Sequence, residues 1–392
     1  MRIAPSQAII TMDKKRAITL GIALVVVIGL IAYFESSGAK PTLVSLPNSG
    51  IVNTSQSENL SAGDISMIQK KSSQFPKAPE LAGISGYLNT KPGTKISELL
   101  GKNIVLVDFW TYTCINCIRT LPYLISWDEK YRDAGLVIIG VHTPEFEFEK
   151  KYENVNMAVE KYGVKYPVVQ DNDYATWMAF KNRYWPRKYL IDKDGFIRFD
   201  HIGEGAYLTT EKKIRELLAE LGSNVSGIPS GTERGDKAIL YRTPELYAGF
   251  GFALPRGQDV GNEDGLKPNT LVIYKLPPEL KKDAVYLEGP WTSLEDNLLS
   301  QGKASIVLDF TAKSVNIVAN NLGEPARMEV FIDGDYVSED QKGEDVKIED
   351  GKSFVVVNQP RLYKVIDGKY GNFLLKLSVP QENFTFNAFT FG

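Results

Sequence analysis

Two cysteines separated by two residues, set where an apolar strand gives way to a helix, constrain this chain more than any other feature: Val107-Asp108-Phe109-Trp110-Thr111-Tyr112-Thr113-Cys114-Ile115-Asn116-Cys117-Ile118-Arg119-Thr120-Leu121-Pro122. Residues 104–110 (IVLVDFW) are a largely apolar run suited to a central strand covered on both faces, and residues 117–132 carry helical spacing. At a helix start this spacing lets the two sulfurs meet in a disulfide while the first stays at the exposed end. The unpaired N–H groups and positive dipole end of the helix favour a thiolate, so Cys114 is expected to be the attacking nucleophile. Cys117, one turn further in, is expected to attack the mixed disulfide and release the partner. These are the only cysteines, and the only histidines are His142 and His201, so a four-ligand zinc site would need all four to converge. No metal or cofactor is expected.

Asp108 interrupts an apolar strand six positions before Cys114. It reads either as a satisfied strand-end carboxylate or as a buried acid beneath the cysteine pair that takes the proton from Cys117, a task toward which burial would raise its pKa. Trp110 and Tyr112 wall the site or simply pack. Pro122 kinks the helix rather than doing chemistry.

The 392 residues suffice for two domains, and 43% hydrophobic with 24% charged residues is an ordinary globular composition. A net charge of -3, with no dense Lys/Arg block after residue 16, argues against a nucleic-acid partner. Residues 17–34 (AITLGIALVVVIGLIAYF) hold no charge, long enough for one transmembrane helix. Asp13-Lys14-Lys15-Arg16 before it and Glu35 after it place residues 1–16 in the cytoplasm and the rest outside the cell membrane. A cleaved signal peptide ending near Ser37-Gly38-Ala39 is the alternative. Residues 35–80, rich in Ser, Asn, Gln, Lys and Pro, read as a flexible tether.

Residues 81–222 alternate strand-like and helix-like stretches, the pattern of an α/β domain with a mostly parallel sheet. Residues 136–141 form a second strand. Further helices are expected at 148–162, 174–180 and 210–221, the last with Thr210 as its N-cap. Residues 189–191 and 196–202 flank Lys193-Asp194-Gly195 as a hairpin. Residues 223–269 read as an irregular connector. From 270 to 392 short β-branched and aromatic runs (270–274, 305–310, 315–318, 328–332, 354–357, 373–377, 384–391), with Asp-Gly turns at 333-334, 350-351 and 367-368, predict an all-β, jelly-roll-like sandwich or barrel.

Taken together, Phe109 through Tyr123, Val141-His142-Thr143-Pro144-Glu145-Phe146, Asp171-Asn172-Asp173-Tyr174, Asn182-Arg183-Tyr184-Trp185-Pro186 and Tyr189-Leu190-Ile191-Asp192 resemble the thioredoxin superfamily, and within it the extracytoplasmic part of DipZ-type proteins close to the TlpA/ResA group. Arg361-Leu362-Tyr363 and Phe389-Thr390-Phe391-Gly392 resemble that family's C-terminal module, which is similar to a carbohydrate-binding jelly roll. The resemblance covers roughly residues 79–392. It implies that Trp185-Pro186 is a cis-proline loop facing the cysteines, where its backbone can pair with an extended substrate chain. It also implies a thiol–disulfide oxidoreductase that reduces disulfides of exported proteins, apocytochrome c included. DipZ proteins carry a multi-helix membrane domain where this chain has a single helix, so a CcdA- or DsbD-like membrane protein is expected to supply electrons. Arg187 stands where the family more often has a small residue.

Other residues keep two readings. His142 tunes the thiolate or packs, with copper binding of the Sco kind disfavoured by the two-residue cysteine spacing. Glu145 and Glu204 are rim acids or solvated side chains. Trp291, Tyr336 and Tyr363 stack on a glycan or fill the core, and the C-terminal module equally serves to dock a partner or the first domain. Competing functions are a disulfide oxidant, a peroxide-reducing relative, and a surface-anchored binding module whose thioredoxin-like part is only a scaffold.

Overall fold

The computed structural model describes residues 62–231 and 241–392. The expected span at 17–34 lies outside them, and among the described residues no helix is long and apolar enough to cross a membrane. The chain opens with α1 (Ala62–Ser72), whose Lys71 pairs with Asp192 and Asp194 at 2.8 and 2.6 Å. Pro76 and Ala78 then bond to the backbone of residues 195–197. Residues 62–80 are therefore not a free tether over their whole length: charges in the Asp192-Lys193-Asp194 turn fix the end of it.

The first module is a six-stranded sheet ordered β1 (Gly86–Leu88), β4 (Val168–Gln170), β3 (Leu136–His142), β2 (Ile104–Trp110), β5 (Arg187–Ile191), β6 (Ile197–Ile202). Only β2, β3 and β4 run parallel, whereas β1, β5 and β6 pair antiparallel, so the sheet is mixed rather than mostly parallel. The β5–β6 pairing follows from its hairpin, because a tight turn can join only antiparallel neighbours. Helices α2 (Ile115–Tyr131), α3 (Tyr152–Tyr162), α4 (Ala175–Ala179) and α5 (Tyr207–Glu220) cover the sheet, with a 3₁₀ turn at Glu147–Lys150. Thr210 is not a cap: α5 begins at Tyr207 with Ala206 as its N-cap, and the Ala206 carbonyl accepts the Thr210 hydroxyl at 2.8 Å.

Every residue of β2 is buried, as a strand covered on both faces requires. Its alternation splits the core. Val105, Val107 and Phe109 pack with Val141 and Tyr189, while Ile104, Leu106 and Trp110 pack with Leu121, Trp127 and Cys117. Asp108 shares the parity of the second set and so faces the cysteine helix.

The second module is one hydrogen-bonded path rather than two separate sheets: β14 (Val346–Glu349), β15 (Lys352–Val357), β12 (Ala326–Ile332), β16 (Arg361–Val379), β11 (Ala304–Asn321), β17 (Glu382–Phe391), β10 (Leu298–Gln301), β9 (Val285–Ser293), β8 (Leu271–Tyr274). The expected runs at 305–310 and 315–318 are one strand, β11, paired with β16 from Ala304↔Val379 to Ala319↔Arg361. Register shifts after Ala312 and Val315 let β11 hold β9 with its first half and β17 with its second, and β10 links β9 to β17. The apolar interior this encloses holds Trp291, Phe310, Tyr363 and Phe386.

The Asp333-Gly334 and Asp350-Gly351 turns are present, all four residues at positive φ, as two-residue hairpin loops require. Asp367-Gly368 is not a turn but lies inside β16 beside the register shift. The stretch 223–269 is likewise more than a connector. It contributes β7 (Leu246–Tyr247), which pairs with β17, then α6 (Phe250–Ala253) and a 3₁₀ turn at Leu254–Arg256. Gly249 precedes α6 at φ +83 with the backbone of Asn297 where a Cβ would stand, so no other residue fits there.

The two modules meet through an apolar cluster of Ile115, Phe146, Val318, Leu362 and Ala388, with Phe146 stacked on Phe252 at 5.5 Å. Phe146 is 1% exposed. Phe146→Ala is expected to lower unfolding stability by about 3–5 kcal/mol, and urea titration followed separately by signals from each module should show their transitions separating. Coincident transitions with unchanged midpoints would contradict the shared core.

Candidate active site

Cys114 is the N-cap of α2, at φ −75 and ψ 112, and its Sγ accepts the Cys117 N–H at 3.2 Å. A sulfur in the N-cap position receives one of the orphan donors of the first turn. Cys114 is half-buried and Cys117 is 1% exposed, both as free thiols. Burial pushes the Cys117 thiol well above its usual range, reinforced by Cys114 and by the charge of Asp108, while a backbone hydrogen bond from Thr111 works the other way. The pair is thus asymmetric: one sulfur reaches the surface and the other keeps its proton.

Asp108 sits beneath them, 1% exposed, with neither carboxyl oxygen hydrogen-bonded. Burial raises it from 3.8 to about 7, opposed by Lys188. Lys188 is its register partner across β2–β5, also 1% exposed, and burial holds its pKa below the usual lysine value. Reading the sequence missed this lysine. The available signal was a cation near the start of β5 whose next three residues, Tyr189, Leu190 and Ile191, are apolar.

The other candidates divide. Trp185 precedes Pro186 through a cis peptide bond, donates its indole N–H to Thr143 O at 3.1 Å, and lines a cavity of about 260 Å3 together with Cys114, Asn116 and Glu145. Trp110 is fully buried, edge-on to His142 at 5.3 Å, and reaches no surface. Tyr112 is 3% exposed and donates to Pro360 O at 3.2 Å, so it joins the two modules instead of walling the cleft.

His142 is sandwiched by Trp110 and Tyr112, and burial lowers it from 6.5 to about 3, so it is neutral across the physiological range. His201 is half-buried, its pKa lowered first by burial and then by Lys188. Glu204 is exposed and faces Arg119 at 3.6 Å, and Arg187 pairs with Asp200 at 2.6 Å. In the second module Trp291 and Tyr363 are fully buried, and Tyr336 lies against Phe331 at 4.5 Å. The first two present no face to a sugar.

The cavity has a second wall that the sequence did not reveal: Arg242, Pro244, Tyr247 and Phe391 of the C-terminal module stand opposite Cys114. Ile115, between the cysteines, is 8% exposed because that module covers it. Glu149 is also new. Fully buried, it accepts the Thr113 hydroxyl at 2.5 Å and the N–H groups of Glu145 and Phe146 at 2.5 and 3.0 Å, tying the loop before Cys114 to the loop that docks the second module.

Residues 77–200 match the model of the AhpC/TSA family, and residues 243–392 that of the thioredoxin like C-terminal domain. The chain is 41% identical over 254 residues to Protein DipZ of Mycobacterium tuberculosis, covering 63% of this chain and 35% of the relative. It therefore spans 35% of the length of the DipZ relatives it matches. It is 30% identical over 142 residues to Thiol-disulfide oxidoreductase YkuV of Bacillus subtilis, covering 36% of this chain and 94% of the relative. A solution structure of a thioredoxin-like protein in the oxidized form is 29% identical, covers 37% of this chain and 97% of the other, and has a TM-score of 0.35.

An acid whose folded pKa is raised makes ionisation unfavourable to the fold, so Asp108 destabilises increasingly as pH rises from 3.8 to about 7 and constantly above. Asp108→Asn is expected to raise stability on the order of 2–4 kcal/mol at pH 8, with the gain shrinking below pH 7 and gone near pH 4. Denaturant unfolding of both proteins across that range checks it, and a gain independent of pH would refute the assignment.

Proposed function

Because the chain belongs to the thioredoxin-like thiol–disulfide oxidoreductases of the DipZ/TlpA kind, we propose that it reduces disulfides of exported proteins on the outer side of the cell membrane. Cys114 is the nucleophile, Cys117 the resolving thiol, and Asp108 the group that takes the Cys117 proton. The observation that carries this reading is the asymmetry of the pair: a half-exposed sulfur capping a helix in an open cleft, and a buried thiol one turn behind it.

The steps follow from the geometry. The Cys114 thiolate attacks a client disulfide presented between Trp185 and the second wall, forming a mixed disulfide. Cys117, protonated because it is buried, becomes a nucleophile only when a nearby base removes its proton. Asp108, with a pKa of about 7 and two unpartnered oxygens on the same face of β2 as Cys117, is suited to accept it near neutral pH. Lys188, its register partner, whose ammonium donates to Gly203 O at 3.3 Å, lowers the cost of holding that charge in the core through its nearby positive charge. Attack by Cys117 on Cys114 releases the client as a dithiol and leaves a Cys114–Cys117 disulfide.

Electrons to reopen that disulfide come, in this reading, from a CcdA- or DsbD-like membrane protein, reached because residues 17–34 anchor the chain beside it. In this reading apocytochrome c cysteines awaiting haem are one client class.

Reduction of insulin by the full chain should be lost in Cys114→Ser, and Cys117→Ser should accumulate mixed disulfides with exported proteins because resolution is blocked. A reductant is expected to titrate near the roughly −270 mV of a thioredoxin, whereas a value near −120 mV would overturn the reductive role in favour of an oxidant. Reductase activity retained by Cys114→Ser would overturn the assignment of the nucleophile.

A further inference from the structure

At the thiol cleft the second module hydrogen-bonds to an acid of the first. Tyr247, on β7, donates to Glu145 Oε1 at 2.8 Å, and Glu145 and Tyr247 line the same cavity as Cys114. Among the described residues Glu145 Oε2 has no hydrogen-bond partner, and the side chain is only 10% exposed. With Tyr247 donating to Oε1, the proton of a neutral carboxyl belongs on Oε2, which makes that oxygen a donor.

The charged and titratable groups facing Glu145 come from several elements. They are Glu149 of the 3₁₀ turn, Tyr174 at the start of α4, Glu245 and Tyr247 of the second module, and Arg256, whose Nη2 lies 3.8 Å from Oε1. Burial, with Glu245 and Glu149 adding repulsion, lifts Glu145 from 4.5 to about 8 against the pull of Tyr247 and Arg256. Glu245, likewise raised by burial and lining the same cavity, titrates together with Glu145, so the two carboxyls hold a proton at the cleft beyond the usual carboxylate range.

We propose that Glu145 is the acid that protonates the client thiolate expelled when Cys114 attacks a disulfide, with Tyr247 of the second module as the positioning residue that orients it. The inference rests on the reductase reading above and specifies its first step. The Cys114 Sγ lone pair forms a bond to one client sulfur, the client S–S bond breaks, and its electron pair leaves on the second client sulfur. The Glu145 Oε2 proton passes to that sulfur, leaving a client thiol and a Glu145 carboxylate that regains its proton from water. An alkyl thiol of pKa about 8.5 is matched by an acid of similar strength, the condition under which proton transfer assists best. An aromatic thiolate is stable without a proton and needs no such help. The second module thus reaches the chemistry without touching either sulfur.

The test uses the full chain, pre-reduced, in single-turnover stopped flow against a dialkyl disulfide peptide and the aromatic disulfide dithiobis-nitrobenzoate. In Glu145→Gln the ratio of the dialkyl to the aromatic rate is expected to fall about tenfold or more, and the decline of the dialkyl rate above pH 8 expected of the parent should disappear. Tyr247→Phe removes a donor that favours the carboxylate, so it should move that decline to higher pH while preserving it. Equal losses on both disulfides, or a dialkyl pH profile unchanged in both variants, would overturn the proposal while leaving the reductase reading intact. A parent protein that reduces neither disulfide overturns both. Since Tyr247→Phe keeps the ring that packs against Phe146 and Phe252, a misfolded Glu145→Gln would still leave the pH shift to decide the matter.

Discussion

The hydrogen bond from the Cys117 N–H to the Cys114 sulfur is the contact on which the rest of this structure converges. It exists because α2 begins immediately after Cys114 and because strand β2, buried on both faces, delivers the chain to that point with no freedom to shift. A helix offers its first-turn N–H groups to whatever caps it, and here the cap is a thiol instead of the usual hydroxyl or carboxylate. The same turn that exposes one sulfur buries the other, so a single local geometry sets both the reactivity of Cys114 and the reluctance of Cys117.

That geometry is held from two sides. Below it, Asp108 and Lys188 stand side by side on adjacent strands, two ionisable groups that the core penalises and that moderate each other's penalty. Buried charges of this sort contribute little to stability and are retained where a proton must move. Above it, the β-rich module closes on Ile115 and Phe146, and Glu149 ties the thiol loop to the docking loop through three hydrogen bonds. The cleft in front of Cys114 is thus built by both modules, and neither would shape it alone.

Much of the first module was legible along the chain. The run 104–110 announced a central strand, and its odd acidic residue announced a group beneath the cysteines. Lys193-Asp194-Gly195 announced the hairpin. What misled was local sequence whose partner lay far away. Asp367-Gly368 has the composition of a turn, yet it is held extended by pairing with β11. Trp110 and Tyr112 stand close before the cysteines in sequence, yet Trp110 ends β2 inside the core and Tyr112, past the end of the strand, reaches Pro360, 248 residues on. Thr210 looks like a cap, but the helix starts earlier, at a residue with no capping side chain.

By itself the sequence determined where the cysteine pair sits: spacing and helix electrostatics act within a single turn, so Cys114 caps α2 and Cys117 lies one turn behind it. The tertiary structure alone decided which groups surround that pair. Lys188 meets Asp108 only through strand register. Glu145 meets Tyr247 only because the second module packs over Phe146, and the cavity facing Cys114 exists only between the two modules. The physical reason is range: capping and dipole effects are fixed by neighbours along the chain, whereas burial, register and the field at a titrating group are fixed by whatever folding brings against it.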